Sequence, residues 1–205
     1  MISDILELSI EQFMQDCLQL CEQQYPTIHN RGMRDQHIAK ALLRRIQSGL
    51  LQRGIEAEIS QPLELRSLFK ITTTDSELWL VAHHFLSANL ATRKALIETI
   101  DLVVQQPKER VSSYLLIMAD HWFDRTKASK ELPAWWLDEQ PEDWQDYLHS
   151  GVRLLPADET LSHQLNQNHY PLLIMDRQLH HPLIHIKHQT RVKRYVVMSG
   201  LYQLR

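Results

Sequence analysis

Leu78-Trp79-Leu80-Val81-Ala82-His83-His84 is the stretch that decides the fold. Its first five residues are apolar without alternation, which predicts a strand covered on both faces and therefore central in a sheet. Upstream, Thr72-Thr73-Thr74-Asp75-Ser76 reads as a tight turn, and Leu63, Leu65, Leu68, Phe69 and Ile71 before it read as a partner strand. The short turn makes the two a hairpin. Residues 55–60 alternate apolar residues with Glu56 and Glu58, which predicts a further short strand. Ahead of that, Ile38, Leu42, Ile46 and Leu50 step by four, so a helix is expected over 33–53. Gly54 suits its C-terminal cap because glycine tolerates the left-handed conformation. Downstream, a helix is expected over 90–106, stopped by Pro107, then a buried strand over 114–119.

The flanks are read the same way. Ser9-Ile10-Glu11-Gln12 has capping-box form, so a helix is expected to start there and close before Pro26. Past Asp120 the chain turns aromatic and acidic. Pro141 suits the first turn of a short helix ended by Gly151. Residues 152–156 read as a fifth strand and 162–168 as a polar stretch. Further strands are expected around 172–175, 182–188 and 195–198. The expectation is an α/β (α+β) protein. Its mixed central sheet has a helix-strand-strand-strand-helix-strand core, an extra N-terminal helix and a β-rich C-terminal extension.

Composition narrows the function. The chain has 205 residues, 43% hydrophobic and 23% charged, enough apolar side chain for a core. It has only 5 glycines, and no two stand as G-x-G. Gly49 and Gly54 have phosphate-loop spacing, but Ile55 and Glu56 follow where Lys and Ser/Thr are required. No nucleophile elbow is present either. Residues 1–22 carry acids and no Lys or Arg, the reverse of a secretory leader. Cys17 and Cys21 lie four apart on one expected helix, as two small apolar residues. These features predict a cytoplasmic protein with no membrane insertion.

The net charge of −3 is a cancellation. Residues 1–22 hold five acids. Residues 31–53 hold six bases and one acid, residues 131–159 eight acids and one base, residues 177–205 six bases and no acid. Either the blocks compensate one another, or the two basic blocks meet on one face and attract phosphate. The nucleic-acid-binding candidates are Arg34, Lys40, Arg44, Arg45, Lys187, Arg191, Lys193 and Arg194. Trp135, Trp136 and Trp144 are candidate anchors for a protein partner. His180, His181, His185 and His188 lack the spacing of a compact metal site, so no metal is expected there.

The helix-strand-strand-strand-helix-strand order over about residues 33–119, with a short helix and strand continuing to 156, resembles the PD-(D/E)XK nuclease-like superfamily. The resemblance implies an acid near the end of the second strand and an acid-x-Lys on the third, holding divalent cations that activate water. Asp75 would stand for the first acid, Ala82 for the second and His84 for the Lys. Alanine ligates nothing, so the resemblance implies the scaffold without conventional cleavage. It divides the chain into an N-terminal helical segment (1–30), a nuclease-like core (31–157) and a basic C-terminal extension (158–205).

The expected function is a non-catalytic binding or adaptor protein for nucleic acid, a protein partner or both. Its implied setting is accessory to a bacterial mobile-element, defence or secretion system. It would carry no cofactor, and its oligomeric state stays open. One alternative is a Mg²⁺-dependent DNA endonuclease with displaced ligands drawn from Asp75, Glu77, His83 and His84. Another is a purely protein-binding immunity protein or secretion chaperone.

Overall fold

The computed structural model describes residues 2–24, 33–62, 65–107, 111–185 and 190–205. Its elements are, in order, α1 (Ile2–Gln24), α2 (Asp35–Gln52), β1 (Glu58–Ser60), β2 (Leu68–Thr72), β3 (Ser76–Phe85), α3 (Leu90–Val104) and β4 (Ser112–Trp122). There follow α4 (Lys127–Leu137), α5 (Trp144–His149), α6 (Leu161–Gln167), β5 (Leu172–His180), β6 (Ile184–His185), β7 (Thr190–Arg191) and β8 (Tyr195–Leu204). The fold is α/β. One mixed six-stranded sheet has the order β1-β2-β3-β4-β8-β5, and among the described residues β6 and β7 form a separate two-stranded sheet.

The run 78–84 is central in the sheet, as its composition predicts. β3 lies between β2, antiparallel to it, and β4, parallel to it from Ser76 opposite Ser112 to Phe85 opposite His121. A parallel pair needs a crossover, and α3 supplies it. Side chains alternate across the sheet and meet two helical layers. Leu78, Leu80, Ala82, Leu116, Met118, Tyr195 and Val197 join Ile5, Leu6, Phe13, Ile38, Leu42 and Ile46 of α1 and α2 in one core. Trp79, Val81, Phe85, Leu115, Ile117, Val196 and Met198 join Leu96, Ile100, Leu132, Trp135, Trp136 and Leu165 of α3, α4 and α6 in the other.

The cap of α2 follows expectation: Gly54 has φ +68° and donates its N–H to the Leu51 carbonyl. The N-terminal cap of α1 does not. Ser9 lies inside that helix, and its hydroxyl donates back to the Ile5 carbonyl at 2.6 Å. Ile5 and Leu6 are fully buried, so apolar contact carries the helix past the point where the local motif would start it.

Three other departures lie beyond β4. Residues 152–156 form no strand. Val152 N–H closes α5 on the Tyr147 carbonyl and Leu155 N–H donates to the Lys130 carbonyl, so these bonds stand in for a ladder, and of the run it is Val152 that is buried. α4 forms where no helix is expected, with Pro133 inside it, because its buried Leu132, Trp135 and Trp136 cover the sheet. The polar stretch 162–168 is mostly α6, started by the Thr160 hydroxyl accepting from His163 N–H. β8 lies between β4 and β5, and with β5 it makes two of the six strands.

Candidate functional site

The charged blocks find each other first. Arg45 of α2 donates to both carboxylate oxygens of Asp16 on α1. Arg177 of β5 pairs with Asp138 and also donates to the Trp136 carbonyl. Asp138 is pulled down to about 2, because the Arg177 guanidinium and the Ser162 hydroxyl outweigh the opposing effect of burial. Lys193, buried, pairs with Asp143 and lies over the Tyr147 ring. Acidic and basic blocks therefore compensate inside the fold, and Arg45 and Lys193 leave the set of available cations. Arg34, Lys40, Arg44, Arg191 and Arg194 remain exposed, with no ion pair among the described residues. Lys187 lies outside the described residues.

Next in sequence to Arg34 and Arg194, Met33 and Tyr195 both bond one carboxylate, Asp120. Asp120 is fully buried near the C-terminal end of β4. Parallel register sets it opposite His84 of β3, whose Nδ1 donates to Asp120 Oδ1 at 2.7 Å. Asp120 Oδ2 accepts from the Met33 backbone N–H at 2.7 Å and from the Tyr195 hydroxyl at 2.9 Å. Met33 precedes Arg34 at the head of α2, and Tyr195 follows Arg194 at the head of β8. One buried carboxylate thus joins the heads of α2 and β8. An unpaired carboxylate buried this far would cost several kcal/mol, so these donors are what keep it there.

His84 is held in one tautomer. With Nδ1–H given to Asp120, Nε2 has no partner among the described residues, and 18% of the side chain stays exposed. Burial works against protonating the ring. The hydrogen bond to Asp120 and the charges of Asp120 and Asp35 outweigh it, so the pKa lies above the ordinary histidine value.

The histidines around it are different. His83 points to the other face, edge-on to Phe85 with ring centroids 4.5 Å apart, and burial lowers it to about 4. His121 Nδ1–H donates to the Phe85 carbonyl, Nε2 accepts from the Ser129 hydroxyl at 2.7 Å, and burial lowers its pKa as well. Ser129 and His121 are fully buried, so this serine–histidine pair is structural. His181 donates Nδ1–H to the Tyr195 carbonyl and accepts at Nε2 from the Tyr147 hydroxyl, while His180 Nε2 bonds the Ser199 hydroxyl.

The displaced-ligand set does not assemble. Asp75 precedes β3 and His84 stands near its far end, about 30 Å apart at the rise of a strand. Asp75 instead lines an open cavity of about 760 Å³ with Gly54, Glu56, Thr73 and Thr74 at the opposite end of the sheet. Glu77 faces the α3 layer. It is ion-paired with Lys70 at 2.8 Å and accepts from Ser113 and Trp79, contacts that outweigh burial and lower its pKa. The implied metal does not fit. Ala82 offers no donor, both Asp120 oxygens are taken, and no group of three or more ligating side chains occurs among the described residues.

Trp135 and Trp136 are likewise not surface anchors. Both are fully buried and donate their indole N–H groups to Gln164 and to the Ser199 carbonyl. Trp144 keeps 45% exposure beside exposed Leu148.

Sequence reading passes over Asp120 because a lone acid after an apolar run has no spacing motif. A signal does exist: Ala82-His83-His84 and Ala119-Asp120-His121 end two buried strands with the same switch from apolar to titratable residues. No family model matches the chain, and no curated protein or solved structure matches it.

Proposed function

We propose that this chain is a non-catalytic nucleic-acid-binding adaptor on a nuclease-like scaffold. The observation that carries the reading is the double acceptance at Asp120 Oδ2, which brings the heads of α2 and β8 together at the C-terminal ends of β3 and β4. Exposed Arg34 and Arg194 flank that junction, and Lys40 and Arg44 extend the positive surface along α2. Cations left over after internal pairing are the ones that can neutralise phosphates and release counterions. The element order α2-β1-β2-β3-α3-β4 supports the nuclease-like scaffold, and Ala82 supports its use for binding in place of metal-dependent cleavage. The resemblance would make such a protein an accessory of a bacterial mobile-element, defence or secretion system.

Fluorescence anisotropy with labelled duplex and single-stranded DNA over a salt series tests this. Affinity should fall with salt. Charge reversal at Arg34, Lys40, Arg44 and Arg194 should flatten the log–log slope by about one for each phosphate contact removed. Lys193→Ala should leave the slope unchanged, because Asp143 already holds that charge. Binding that ignores both salt and charge reversal would sink the reading and favour a protein-binding module presenting Trp144 and Leu148.

A further inference from the structure

We propose that His84 Nε2 donates to a phosphate oxygen, so that the Asp120–His84 pair forms a phosphate subsite within this basic end; the inference rests on the nucleic-acid reading above. Asp120 is not itself a ligand group, since one oxygen holds His84 and the other holds Met33 N–H and Tyr195 OH. Its effect is to fix one ring orientation. Because Nδ1–H is committed to Asp120, the second proton of a charged imidazole must sit on Nε2. That atom has no partner among the described residues, and the side chain reaches the surface.

The titratable groups near His84 come from four elements. α2 contributes Asp35, which already accepts from Gln36 N–H at 2.7 Å. β3 contributes His83, β4 contributes Asp120 and His121, and β8 contributes Tyr195. The buried histidines add no charge near neutral pH, while Arg34, Arg125 and Arg194 stand exposed at the same end of the sheet. An acceptor-only, negatively charged oxygen suits a cationic N–H with arginines around it. The shared chemistry is that of a nucleic-acid backbone and of a small phosphate ester.

The test is NMR of the full chain at about pH 6, with the His84 resonance assigned by comparison with His84→Gln. Inorganic phosphate, and separately an oligonucleotide, are titrated in. A saturable shift at His84, larger than at exposed His37, His149 and His163, is expected. His84→Gln should weaken phosphate binding about tenfold, the scale of one charge-assisted hydrogen bond. No shift at His84, or one equal and linear across the exposed histidines, overturns the inference.

The two readings separate cleanly. Oligonucleotide binding without a phosphate response at His84 removes the subsite and leaves the surface. A phosphate response without oligonucleotide binding removes the nucleic-acid reading and leaves a site for a small phosphate ester.

Discussion

At the scale of single residues, histidine shows how one side chain takes opposite roles by placement. His83, His180 and His181 are lowered to about 4, chiefly by burial, whereas His84 is raised through Asp120 and Asp35. The lowered set binds fewer protons folded than unfolded between about pH 4 and the ordinary histidine value near 6.5, so in that window stability rises with pH and falls on acidification. Each such shift is worth about 3 kcal/mol at full effect. His84 acts in the other direction, adding stability that is present at low pH and lost as pH rises through its folded value. With His121 lowered too, four histidines stand against one and acidification should win: the urea midpoint is expected to fall steadily from pH 7 to pH 4.5. His180→Gln should reduce the slope of that fall. A midpoint that holds level over this range would contradict the buried, neutral assignment.

None of this is legible in the sequence, where His180, His181, His185 and His188 read only as a group without the spacing of a metal site. His180 and His181 turn inward to Ser199 and Tyr147, a placement that depends on β8 lying against β5.

At the scale of elements, period was legible and context was not. The four-residue step of α2 and the apolar runs of β3 and β4 identify themselves, because one residue's face determines the next. α4 is hidden by Pro133 and by adjacent tryptophans, which read as irregular chain until a sheet is available to receive them. Residues 152–156 show the converse: an apolar run whose backbone bonds go to Tyr147 and Lys130 and to no neighbouring strand.

The α4–β8 contact is correspondingly tight. A Cβ on Gly200 would lie 3.0 Å from Tyr202 Cε2 and 3.3 Å from Trp136 Cζ2. Trp136 is further pinned by its indole bond to the Ser199 carbonyl at 3.1 Å. Gly200→Ala should therefore destabilise the protein by about 1–3 kcal/mol, the cost of overpacking. The accompanying change in tryptophan emission should report Trp136. An unchanged melting temperature would mean that the rings yield freely.

At the scale of the whole molecule, two facts govern. The sheet is sandwiched by α1 and α2 on one face and α3, α4 and α6 on the other, and its order is not the order of the chain. β8 is hydrogen-bonded along its length to β4 on one side and β5 on the other, and it carries Tyr195, Val197, Met198 and Tyr202 into both cores. A chain stopped at Arg194 is therefore expected to lose cooperative unfolding, with near-UV dichroism abolished. Retention of a sharp thermal transition would show that the first four strands fold alone.

The charge layout belongs to this scale too. The sequence shows the alternating acidic and basic blocks, but their mutual cancellation through Arg45–Asp16, Arg177–Asp138 and Lys193–Asp143 needs three dimensions.

The position of β8 also sets a timetable. A ribosome releases β4 long before it has made β8, since residues 123–194 come between them. Throughout that interval β4 presents a long, apolar, unpaired edge, the kind of surface to which other strands add. The nascent chain must be shielded or kept short-lived in that state, and slow translation through 123–194 would lengthen the exposure. Yield in a cell should thus depend on chaperone supply and elongation rate more than the finished protein's stability would suggest.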